Sequence, residues 1–137
     1  MLTITVADVI DNTLPESGWG SFCIYVFRDK DFVLYVGKAE QNIIDRLEDH
    51  LGLAYRPKSL VGRLVDENAP ESHKWQIDLL SSDDCMLIVA KHFPSAKSAD
   101  ALTLERAVIM EFRPPLNRQS NPSARPLPSK YRRGRES

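Results

Sequence analysis

One stretch limits what this chain can become more than any other: Phe22 to Leu51, FCIYVFRDKDFVLYVGKAEQNIIDRLEDHL. Two runs rich in aromatic and β-branched residues, Ser21 to Phe27 and Phe32 to Val36, flank the charged run Arg28 to Asp31. That pattern predicts a β-hairpin. Gly37 closes the second strand, and Ile43, Leu47 and Leu51 then recur at helical spacing, with Ile44 beside them. Gly52 falls where a left-handed helix cap is expected. Arg46 and His50, four residues apart, share one helix face, while Asp45, Glu48 and Asp49 point to solvent.

Side chains alternate across a strand, so Tyr25 and Tyr35 share a sheet face only if the loop between their strands holds an odd number of residues. A three-residue loop, Asp29 to Asp31, pairs Tyr25 with Tyr35 and asks Asp31 for a left-handed conformation. A two-residue loop separates the tyrosines. We expect the odd loop, or a bulge with the same effect.

At 137 residues the chain suits one domain with a hydrophobic core. No segment approaches the roughly 20 apolar residues of a membrane helix, and the N-terminus lacks a secretory pattern. Cys23 and Cys85 sit apart in apolar segments without metal-ligand spacing, which reads as buried thiols in an intracellular, cytoplasmic protein. The net charge of −1 argues against a nonspecific polycation. It hides an asymmetry: from Arg118 onward six basic residues face Glu136 alone, so the tail carries about +5 and the body about −6. This tail, residues 118–137, reads either as a source of phosphate contacts or as a flexible soluble end.

Around the central stretch, residues 1–20 read as an N-terminal extension, with LTITVADVI an edge strand turning into a short helix. Leu60, Val61, Leu64 and Val65 follow Pro57 at helical spacing, ending at Asn68 and Pro70. HKWQIDLL, His73 to Leu80, alternates as a half-buried strand. Ser81 and Ser82 with Asp83 and Asp84 open a helix through CMLIVAKHF, for which a buried strand is the competing reading. Ser98 is expected to cap a further helix carrying Leu104, Val108 and Phe112, stopped by Pro114 and Pro115. These elements predict an α+β domain: a small three-stranded antiparallel sheet flanked by helices.

Common catalytic signatures are missing: there is no GxSxG, glycine-rich phosphate loop, HExxH or cysteine cluster. Each polar residue taken singly has an ordinary structural role: a strand tyrosine packs, a helix-surface arginine is solvated, and a histidine near a helix C-terminus suits the dipole. Their combination points further. CIY at Cys23 to Tyr25, YVG at Tyr35 to Gly37 followed by Lys38, Arg46 with His50 four residues on, Glu105 on a later helix and Asn117 after PPL stand in one order. In that order the chain resembles the GIY-YIG nuclease superfamily, and most of all the catalytic domain of bacterial excision-repair nucleases. The resemblance spans Phe22 to Asn117, within a domain drawn at residues 21–117. Cys23 and Val36 stand where the family has glycine and isoleucine.

The resemblance implies a metal-dependent endonuclease acting on DNA through a single Mg²⁺ or Mn²⁺ held by Glu105. It implies that Tyr25 helps deprotonate the attacking water, Tyr35 positions the phosphate or water, Arg46 stabilises the phosphoryl charge and Asn117 anchors a loop. A phenol needs a nearby cation to act as a base at neutral pH, a field that Lys38 is expected to supply, with His50 as relay or base. A catalytically silent nucleic-acid-binding module of the same fold is the alternative. A protein partner or a homo-oligomer stays open.

Overall fold

A computed structural model of the chain describes residues 1–53, 58–97 and 99–133. The elements run β1 (Leu2–Thr5), α1 (Val6–Ile10), β2 (Ile24–Asp29), β3 (Phe32–Lys38), α2 (Ile43–Leu51), α3 (Leu60–Glu67), a 3₁₀ turn (Glu71–Lys74), β4 (Gln76–Leu80), α4 (Ser82–His92) and α5 (Ala101–Phe112). The domain is α+β, and its antiparallel sheet has four strands in the order β1-β4-β2-β3 rather than three. The extra strand comes from the N-terminus, where Leu2–Thr5 pairs residue for residue with Leu79–Gln76. These first residues are therefore part of the sheet.

Helix ends follow local chemistry. Thr5 and Ser81 each form reciprocal capping boxes with an acid three residues on, Asp8 and Asp84. Asn42 and Ser59 cap α2 and α3, and Gly52 ends α2 at φ 75°. The segment Ser82–His92 is helical, not a strand. The expected cap Ser98 lies outside the described residues, and Asp100 caps α5, its carboxylate accepting the Thr103 N–H.

The sheet separates two cores. On one face Tyr25, Phe27, Leu34, Ile77 and Leu79 meet α1, α2 and α3. On the other Ile24, Val26, Val33, Val36 and Leu80 meet α4 and α5. Since β4 lies between β1 and β2, its polar side is covered too. The expected half-buried pattern gives way to buried Asp78 and Leu80, and Asp78 is satisfied by a bidentate pair with Arg28 (2.6 and 3.0 Å) and by the Thr3 hydroxyl (2.7 Å).

The hairpin loop is the two-residue turn Lys30-Asp31, with Lys30 rather than Asp31 left-handed at φ 54°. Parity is restored by a bulge: Arg28 pairs with Val33, but Phe27 pairs with Tyr35, leaving Leu34 over. Leu34 and Tyr35 consequently share the face of Phe27 and Tyr25. Tyr25 pairs with Gly37, not with Tyr35.

The C-terminal segment up to Arg133 is anchored at a few points, although most of its residues are exposed. Tyr131 is buried against Trp75 and Phe32, its hydroxyl donates to Asp29 (2.6 Å), and the backbone of Arg132 exchanges two hydrogen bonds with the Asn68 amide. Tyr131 and Leu127 among the basic residues supply the apolar surface that a solvated tail would lack. Among the described residues, no helix is long and apolar enough to cross a membrane.

Candidate active site

Four elements deliver side chains to one cleft of about 450 Å³: Tyr25 from β2, Tyr35 and Lys38 from β3, Arg46 from α2 and Glu105 from α5. Glu105 belongs to the opposite helical layer, but α5 packs against β3, which is an edge strand, so its carboxylate reaches around that edge and interacts with the Lys38 N–H. The tyrosine rings lie on one sheet face with centroids 6.4 Å apart. A Cβ at Gly37 would overlap the Tyr25 ring, so the glycine after Tyr35-Val36 is what lets that ring lie flat across the hairpin.

His50 is buried behind the cleft, 4% exposed. Its Nε2 is 2.6 Å from the Tyr25 hydroxyl, and its Nδ1 is 2.6 Å from Ser59 Oγ. Ser59 was not expected at the site. It is the N-cap of α3, where its Oγ also accepts the Gly62 N–H, and it reaches His50 because Gly62 has no side chain: a Cβ there would strike the backbone carbonyl oxygen of His50. The SLVG run, a capping serine with a glycine three residues on, is the sequence signal that could have flagged it.

Burial pushes the Tyr25 phenol well above its ordinary pKa, and Tyr35 and Glu105 add to the shift. Arg46 is a cation that opposes this. Lys38 pairs with Glu40 (2.8 Å), whose hydrogen bond raises the lysine pKa. Burial, with help from Arg46, holds His50 down to about 4, so its imidazole is neutral at pH 7. Tyr35 is also shifted upward by burial. Half-buried Glu105 is pushed upward by desolvation, against the fields of Lys38, Arg106 and Arg46.

Asn117 has a different place. Its amide oxygen accepts the Val36 N–H (2.9 Å) and its amide nitrogen donates to the Val36 carbonyl (2.8 Å), so it acts like one residue of an added strand along β3. Both amide groups are used there. Asn117 positions the Tyr35 segment and the loop after α5 rather than offering a free group to the cleft.

The cleft is acidic: Glu40, Asp45, Asp49 and Glu105 line it against Lys38 and Arg46. Among the described residues there is no cluster of three or more metal-ligating side chains. The donor set suits a hard divalent cation that takes one protein carboxylate and completes its shell with water and phosphate, as Mg²⁺ does. The excess of carboxylates also means that an anionic substrate is poorly received without such a cation. Compared with protein-family models, curated proteins and solved structures, the chain finds no match, so what the site does has to be argued from its own residues and geometry.

Proposed function

We propose that this protein is a metal-dependent endonuclease that hydrolyses phosphodiester bonds in DNA, with the chemistry of the GIY-YIG superfamily it resembles. The observation that carries the reading is convergence: two phenols, a guanidinium and a carboxylate, scattered over 81 positions from Tyr25 to Glu105, line one cleft with a neutral imidazole behind it. Glu105 would hold the Mg²⁺ or Mn²⁺, which supplies Lewis-acid charge neutralisation at the phosphate when bound.

The remaining work falls to the chain's own side chains. With His50 neutral and carrying its proton on Nδ1, that N–H donates to Ser59 Oγ and Nε2 accepts the Tyr25 O–H. Tyr25 then keeps a lone pair free toward the cleft. As water attacks phosphorus, its proton passes to the Tyr25 oxygen while the phenolic proton moves to His50, so a phenolate never has to exist beforehand; the bond from phosphorus to the departing sugar oxygen breaks as the new one forms, and that oxygen takes its proton from solvent at the open mouth of the cleft. This accommodates the raised pKa of Tyr25, which would defeat a mechanism starting from the ionised phenol. Arg46 offers its fork of donors to the phosphate oxygens as their charge grows, and Tyr35 orients the phosphate or the water. Lys38, paired with Glu40, also sets its charge beside Glu105. The free thiols of Cys23 and buried Cys85 suit a reducing intracellular compartment.

The test is cleavage of supercoiled plasmid with and without Mg²⁺ or Mn²⁺. Glu105→Gln should abolish metal-dependent cleavage and leave the circular dichroism spectrum unchanged. Full activity in that variant overturns the metal assignment; a salt-dependent shift on DNA without any cleavage by the wild type would make the protein a binding module.

A further inference from the structure

A second groove of about 400 Å³ lies beside the cleft and shares the walls Tyr35 and Glu105 with it. Its walls are the start of α3, the outer face of α5 and the loop Leu116–Ser120. Two features set it apart from an ordinary surface hollow. Leu60 and Leu102 line it while remaining 37% and 42% exposed, an apolar surface left open among the described residues. Arg106 and Arg118 also line it, both exposed, and among the described residues neither makes an ion pair. Arg118 is not on a loose loop: the preceding Asn117 is bolted to Val36 by two hydrogen bonds, and the Asn121 amide donates to the Pro114 and Asn117 carbonyls.

We propose that this groove holds an unpaired DNA strand next to the scissile phosphate, with Arg106 and Arg118 on its backbone phosphates and Leu60 and Leu102 against the faces of its bases. The inference rests on the nuclease reading, because adjacency to the cleft is what brings the strand there. Charge and apolarity together select the occupant. Guanidinium groups attract phosphates, but aliphatic side chains gain nothing from a duplex, whose base faces are stacked away; they gain from splayed bases. The main cleft, with more carboxylates than cations, cannot supply this attraction itself. The preferred substrate class is then DNA in which one strand is open beside the cut: a flap, a gap or a fork.

The experiment uses the full chain carrying Glu105→Gln, so that substrates are bound and not cut. Fluorescence anisotropy compares a labelled blunt duplex with duplexes bearing two or four unpaired nucleotides. The extensions should tighten binding by about tenfold, the scale of covering the exposed halves of two leucine side chains. Adding Arg118→Ala or Leu102→Ser should erase that gain and leave blunt-duplex affinity unchanged, and Arg118→Ala should lower the salt slope for extended substrates by about one. No gain from the extensions, or a gain that survives both substitutions, overturns the proposal. Plasmid cleavage by the wild type separates the two readings. If it cuts and the extensions add nothing, the groove assignment falls alone. If it does not cut and the gain depends on Arg118, the groove stands as a single-strand site and the nuclease reading falls.

Discussion

Gly62→Ala puts the architecture behind the site to a test of sign. Gly62 lies inside α3, and by helix propensity alone alanine should stabilise it by about 1 kcal/mol. The contact geometry says the opposite. The added methyl group would run into the carbonyl oxygen of His50, a backbone atom in the last turn of α2 that no rotamer change can remove, and would press on Lys58 Cβ at 3.3 Å from the other side. Overpacking against rigid neighbours costs about 1–3 kcal/mol, and a backbone obstacle belongs at the upper end. Setting about 3 kcal/mol against the propensity gain of about 1 leaves a net loss near 2 kcal/mol, or roughly 6–10 °C in Tm for a chain of this size.

Trp19 and Trp75 are both buried, so urea and thermal unfolding can be followed by their fluorescence. The variant should also move α3 away from α2 and loosen the Ser59–His50 hydrogen bond. In a double-mutant cycle, Ser59→Ala should therefore cost less in the Gly62→Ala background than in the wild type. An unchanged or raised unfolding midpoint for Gly62→Ala would refute the claim that α3 is held against His50 by the absence of a side chain.

Three other outcomes follow from the same geometry. His50 has its pKa lowered to about 4 in the fold against an ordinary 6.5, so above pH 6.5 it is neutral in both states and costs nothing. Between pH 6.5 and 4 the unfolded chain takes up a proton that the folded one refuses, and stability should fall by about 3 kcal/mol across that window. Urea midpoints at pH 7.5, 5.5 and 4.5 should drop less in His50→Gln than in the wild type, and equal slopes would contradict the buried neutral imidazole. Asn117→Ala strips both hydrogen bonds from the Val36 backbone. It should cost about 2–3 kcal/mol and speed amide exchange at Val36, and a protected amide there would show that the strand does not need its side-chain partner. Tyr131→Phe removes only the hydroxyl bonded to Asp29 and should cost about 1–2 kcal/mol in urea unfolding, whereas a solvated tail predicts no effect.

How far the sequence could be read depended on the range of the physics. Gly52 as a left-handed cap and Ser81 with Asp84 as a helix start are decided within one turn of chain, and the structure carries them as expected. The hairpin and the need for Tyr25 and Tyr35 to share a face were also legible, because strand alternation is a parity argument. Which device met that parity was not: a three-residue loop and a bulge are equivalent on paper, and the choice of Lys30 and Leu34 depends on how β2 also pairs with β4. The edge strand at Leu2–Thr5 and the short helix after it were legible as well; that this strand joins the sheet as a fourth member was not, because a four-residue run has no partner until β4 is in place.

At the candidate site the division is sharper. Of the residues named from the motif order, Tyr25, Tyr35, Lys38, Arg46 and Glu105 meet in one cleft, with His50 behind it and Asn117 beside it as a brace, but their electrostatic roles could not be assigned in advance. Arg46, farther from Tyr35 in sequence than Lys38 is, sets its charge against the burial of Tyr25, and Lys38 pairs with Glu40. The Arg106–Arg118 groove was invisible for the same reason, and Ser59 showed in the sequence only as a helix cap, not as a partner of His50. By itself the chain determined its local elements and the identity of its chemically able side chains, because propensity, capping and alternation act over a few residues. Strand partners, the depth at which His50 and Tyr25 are buried, and which charge faces which group were decided only by tertiary structure, because desolvation and Coulomb fields depend on distances in space that sequence separation does not measure.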